Sequence, residues 1–83
     1  MFKDPSKALT DILVARIHQK EKFSAGHDAE NNTGDWVNII DIHLQDACGS
    51  AEVDDGPMFR DFMVRTAAVA LAAVEAYDAK GSL

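Results

Sequence analysis

Apolar residues recur every three to four positions in three stretches of this chain, and nowhere do apolar and polar residues alternate over a useful length. That pattern predicts an all-α protein of three helices. The first helix starts at Asp4-Pro5, with the aspartate as cap and the proline at the first helical position, and runs to about Lys22. Leu9, Ile12, Leu13 and Ile17 form its apolar stripe. In the last two turns that stripe becomes polar. Arg16 and Lys20 lie at its centre, Gln19 at its flank, and Phe23 closes it. Two readings of the cations stand together: their stems lie over the core edge while the charged heads snorkel outward, or they meet a ligand.

Residues 24–35 are rich in Gly, Asn, Asp and Ser and have no periodicity, so they read as a loop. Loops of this length in small domains are often functional, and His27-Asp28 could touch a ligand, although a solvated histidine is the simpler state. Asp35 caps the second helix, with Thr33 as the other candidate. On the helical wheel Trp36, Val37, Ile39, Ile40, Leu44, Ala47 and Cys48 share one broad arc, opposite Asn38, Asp41 and Gln45. His43 falls inside the apolar arc and Asp46 at its edge. Gly49-Ser50 is expected to end this helix. A histidine on such a face is either a hydrogen-bonded core residue or, with Asp46 three positions on, part of a ligand pair.

The third helix is expected from Pro57 to about Lys80, with Asp55 or Gly56 as cap, a length of roughly 35 Å. Phe59, Phe62, Met63, Thr66, Ala67, Ala70, Leu71, Val74 and Tyr77 make its apolar stripe. Asp61 and Arg65 are spaced for a surface ion pair. No charge occurs between Thr66 and Val74, and Ala68, Ala72 and Ala73 line the remaining faces. A helix apolar nearly all round is buried nearly all round, which three helices of one short chain can hardly achieve. The expectation is a homodimer or larger bundle.

Length and composition bound the function. Eighty-three residues make one domain, 1–83, with a small core that needs good packing or a partner subunit. A single cysteine, Cys48, fits a reduced, cytoplasmic-type compartment. No run is long enough to span a membrane, and Met1 to Pro5 lacks the apolar core of a signal peptide. A net charge of −6 argues against a nucleic-acid backbone binder, but leaves room for a nucleotide pocket with a few local cations. The acids are spread along the chain, which suits solubility better than nucleic-acid mimicry. Phosphate loops, CxxC and HExxH are absent.

The order Arg16-x-x-Gln19-x-x-Lys22-Phe23, a Gly/His/Asn loop, Trp36-x-x-Ile39-Ile40-x-x-x-Leu44-x-Asp46-Ala47, then Phe59-Arg60-Asp61-x-Met63-Val64-x-x-Ala67-Ala68-Val69-Ala70-x-Ala72-x-Val74-Glu75-Ala76-Tyr77-Asp78 resembles the small MazG-like proteins common in phages. These are relatives of the all-α nucleoside triphosphate pyrophosphohydrolases. The resemblance covers residues from about 13 to 79, and the last helix is its most distinctive part. It implies a helical dimer or tetramer. It also implies Mg²⁺ held by a Glu-x-x-Glu on one helix and a Glu-x-x-Asp on the next, activating water against the α–β phosphoanhydride. The chain departs from that ligand set. His43 and Asp46 match the first pair, and Phe62 and Arg65 match the second, with Asp61 one residue away. Arg65 could supply the charge that a metal supplies elsewhere.

Two function classes follow from the resemblance. In one, the protein is a nucleotide pyrophosphohydrolase with an altered site. His43, Asp46 and Asp61 would hold Mg²⁺, and Arg16, Gln19, Lys22, Trp36 and Arg65 would contact the nucleotide. In the other, it is a catalytically dead relative in the host cytoplasm that sequesters a nucleotide or inhibits a host protein.

Overall fold

A computed structural model describes residues 4–22 and 31–81, with residues 21 and 22 described by their backbone alone. Three helices are present among them: α1, Ser6–Lys22; α2, Thr33–Glu52; and α3, Gly56–Lys80. No strand occurs among the described residues, and none of these helices is long and apolar enough to cross a membrane. The all-α expectation therefore holds. Phe23, His27 and Asp28 lie outside the described residues.

The helix ends follow from local chemistry. Asp4 Oδ1 accepts hydrogen bonds from the Ser6 hydroxyl at 2.6 Å and the Ser6 amide at 2.9 Å, and these hold the Asp4 carboxyl below its usual range. Asn32, and neither Asp35 nor Thr33, caps α2. Its side chain accepts from the Asp35 amide at 2.9 Å, and the Asp35 carboxylate accepts from the Asn32 amide at 3.0 Å. This reciprocal capping box satisfies two amides that would otherwise lack partners, which one aspartate cap would not.

Gly49-Ser50 does not end α2. Both residues stay helical, Ser50 is buried, and its hydroxyl donates to the Asp46 carbonyl at 3.4 Å. The chain reverses later, where Asp54 takes a left-handed φ of 56°. Asp55 then serves both neighbours. Its amide donates to the Ser50 carbonyl at 2.9 Å, and its side chain accepts from the Met58 amide at 3.0 Å to cap α3. Gly81 ends α3 at φ 78°, where a side chain would be strained, and its amide donates to the Tyr77 carbonyl at 2.7 Å.

It is α3 that packs against both other helices. α2 is thus one wall of the fold, and α3 its centre. The face of α3 turned inward is rotated from the expected one: Thr66 is buried and Phe62, Ala67 and Leu71 are half-buried as the stripe predicts, but the centre lies elsewhere. Ala68 is 0% exposed, and Val69 and Ala72 are buried. Phe59, Met63, Ala70, Val74 and Tyr77 lie in the open. Small side chains let α1 and α2 approach the α3 backbone closely. The Trp36 indole occupies the space over Val69 and Ala72, with Ile39, Ile40, Ala73 and Ala76 around it.

The other helices also bury fewer of their expected apolar residues than the wheel predicts. On α1, Leu9, Leu13 and Ile17 are more than half exposed, Ile12 is half-buried, and Arg16 is buried. On α2 the buried line is Trp36, Ala47 and Ser50, with Ile39, Ile40 and His43 half-buried. Val37, Leu44 and Cys48, expected on the apolar arc, are exposed. The buried arc is narrower than the wheel suggested because only α3 covers it.

Candidate functional site

Between α1 and α2, with α3 as its floor, lies an open groove of about 910 Å³. The chain contains three arginines, Arg16, Arg60 and Arg65, and all three line it. Among the described residues the only carboxylates in the lining are Asp11 and Asp61, so the described lining gathers cations in a protein whose net charge is −6. Trp36, Ile39, Val64, Val69 and Ala72 supply an apolar wall. Gln19, His18, Asn31 and His43 add further polar groups.

Each arginine is held differently. Arg16 is 7% exposed, and its Nη2 lies 3.5 Å from the Glu75 carboxylate, which Lys20 Nζ also approaches at 3.4 Å. The snorkelling expected of both cations therefore holds for Lys20 alone. Arg60 Nη2 meets Asp11 Oδ2 at 2.8 Å and joins α3 to α1. Lys7 reaches the same oxygen at 3.0 Å. Hydrogen bonds from Arg60 first, then Lys7, hold the Asp11 carboxyl below the usual carboxylate range. Arg65 Nη2 pairs with Asp61 at 2.9 Å, the surface pair that the spacing predicts, and its guanidinium stands 5.7 Å from the Phe62 ring centroid. Gln19 Nε2 donates to the Arg65 carbonyl at 3.4 Å.

His43 contributes a defined tautomer. Its Nδ1 lies 2.9 Å from the Ile39 carbonyl oxygen. A carbonyl only accepts, so Nδ1 carries the proton in the neutral ring and Nε2 keeps its lone pair. Trp36 is 5% exposed, and its Nε1–H has no acceptor among the described residues. An unsatisfied buried donor costs about 1–3 kcal/mol.

Six residues singled out by sequence therefore share one groove: Arg16, Gln19, Trp36, His43, Asp61 and Arg65. Asp46 is exposed and lies outside the lining, and the Lys22 side chain lies outside the described residues. Among the described residues no three His, Cys, Asp or Glu side chains gather as a metal centre. Asp11 and Asp61 are each engaged with an arginine, so the groove's donors fit Mg²⁺ poorly. No known protein family, curated protein or solved structure matches this chain.

Arg60 and Asp11 were not singled out as site residues from the sequence. The available signal was the scarcity of arginine. With only three in the chain, two of them five residues apart on one helix, Arg60 belonged with Arg65.

Proposed function

We propose that this is a MazG-like protein whose groove binds a nucleoside triphosphate or a related nucleotide. The observation that carries this reading is the convergence of every arginine in an acidic chain on one groove with an apolar wall beside them. Guanidinium groups suit phosphate oxygens because they offer planar, paired donors. The wall of Trp36, Ile39 and Val69 suits the less polar part of a nucleotide. The resemblance of residues 13 to 79 to the MazG-like family points the same way.

Thermal-shift measurements across a panel of nucleoside and deoxynucleoside triphosphates test the binding. A concentration-dependent rise in Tm is expected for at least one of them, and no shift with any would reject the reading. Hydrolysis is tested separately, by pyrophosphate release with Mg²⁺ or Mn²⁺. Turnover that Asp46→Ala abolishes would establish the pyrophosphohydrolase form with Asp46 as a metal ligand. Binding without turnover would establish the sequestering form.

The protomer is further proposed to assemble as a homodimer or tetramer. Leu9, Leu13 and Ile17 on α1 and Phe59, Met63, Val74 and Tyr77 on α3 lie on the helix faces away from the groove, and all are exposed in one chain. Apolar stripes of this length on two neighbouring helices are what a subunit interface covers. A monomer by light scattering at micromolar concentration would reject the assembly and favour a different protein as the partner.

A further inference from the structure

We propose that the groove takes up the phosphates of its ligand by ion exchange at Arg60 and Arg65, without a divalent cation. This rests on the nucleotide reading and adds how the charge is neutralised.

Three features of the groove lead here. First, both guanidinium groups are half-exposed, and each is held by one carboxylate, Asp11 or Asp61. Such surface pairs stabilise a fold little, so they can be exchanged at small cost. A di- or triphosphate carries more total charge than the single carboxylate it replaces and offers oxygens that accept from both guanidinium groups. Secondly, among the described residues the groove's two carboxylates are the same two that pair with these arginines. The described carboxylates best placed to ligand a metal there are thus the ones the arginines occupy. Thirdly, Arg60 and Arg65 both line the groove from α3, so the two cations border one space that a chain of linked phosphates can enter. The Nε2 lone pair of His43, with Nδ1 committed to Ile39, adds an acceptor for a hydroxyl or amino group elsewhere on the ligand.

Exchange has a consequence that simple adhesion lacks. When phosphate takes Arg60, Asp11 loses the stronger of the two contacts that lower its pKa. Its carboxyl then titrates closer to the ordinary range while ligand is bound.

Calorimetry with inorganic triphosphate, in EDTA and in millimolar magnesium, tests this on the full chain. The expected result is binding in EDTA, unchanged or weakened by magnesium, which competes for the same phosphate oxygens. Arg60→Gln and Arg65→Gln should each lower affinity by about tenfold or more, and Lys80→Gln, outside the groove lining, should change it by less than about threefold. The carboxyl carbon resonance of Asp11 should titrate at higher pH with triphosphate than without it. Binding that appears only with magnesium would overturn the exchange and leave the nucleotide reading standing. Binding indifferent to both arginine variants, or an Asp11 titration that ligand does not move, would also overturn it. Absence of binding in both buffers, for triphosphate and for nucleotides, would overturn both.

Discussion

The Asp11 carboxylate accepts a 2.8 Å hydrogen bond from Arg60, forty-nine residues away, and this contact fastens the first helix to the third at the edge of the groove. Its pH dependence has a definite sign. The folded state holds the Asp11 carboxyl below its ordinary range, so it binds fewer protons there than the unfolded chain does. The pair therefore contributes stability above the unfolded-state value, and the contribution is lost as pH falls through the folded one. Arg60→Ala should move the Asp11 titration upward by NMR and flatten the acid side of the Tm-versus-pH curve. An unchanged Asp11 midpoint would show that Lys7 alone sets it.

Trp36 separates packing from hydrogen bonding. Trp36→Ala removes the largest member of the core cluster and should cost about 3–5 kcal/mol in chemical denaturation. Trp36→Phe loses some area but also removes a buried N–H that has no acceptor among the described residues. The two effects oppose, and the net change should stay under about 1.5 kcal/mol. A Phe variant as unstable as the Ala variant would mean that the indole N–H is satisfied in solution.

The inward face of α3 is tested by adding the same side chain on either side. Ala68→Leu forces bulk between helices where no exposed surface remains, and should cost about 1–3 kcal/mol. Ala70→Leu, on the open side of the same helix, should stay within about 0.5 kcal/mol in the protomer. Equal effects at both positions would contradict the burial seen here.

The capping box at the start of α2 should show in a single substitution. Asn32→Ala removes the acceptor for the Asp35 amide and should destabilise by about 1 kcal/mol, whereas Thr33→Ala should be close to neutral. The reverse order would return the cap to Thr33.

Helix number and approximate bounds were legible because caps and periodicity are local signals. Asp55 and Pro57 mark the start of α3 in the sequence as in the structure, and its end falls at Lys80, as expected. The inward faces were legible in part: Trp36, Ala47 and Thr66 are buried as expected, and the large apolar residues expected inward on α1 and α3 are not. A wheel ranks residues by hydrophobicity, and it favoured Phe59, Met63 and Val74 over Ala68 and Ala72. Helix approach ranks them by size as well, and a protomer of three helices closes around its alanines. The groove was legible in part, because Arg16, Gln19, Trp36, His43, Asp61 and Arg65 were picked out by periodicity and family likeness together. Arg60 and Asp11 depend on a contact across forty-nine residues, which no local pattern encodes.

The two walls of the groove are fastened to its floor by different physics. α2 and α3 form a tight hairpin in which Asp55 closes one helix and opens the next, and Trp36 seals the seam. α1 turns Leu9, Leu13 and Ile17 outward and meets α3 through the charged contacts of Asp11, Arg16 and Lys20. Its amides should therefore exchange with deuterium sooner than those of α3, and more so in high salt, which weakens the contacts holding it. One side of the groove is the element of the protomer that opens at least cost.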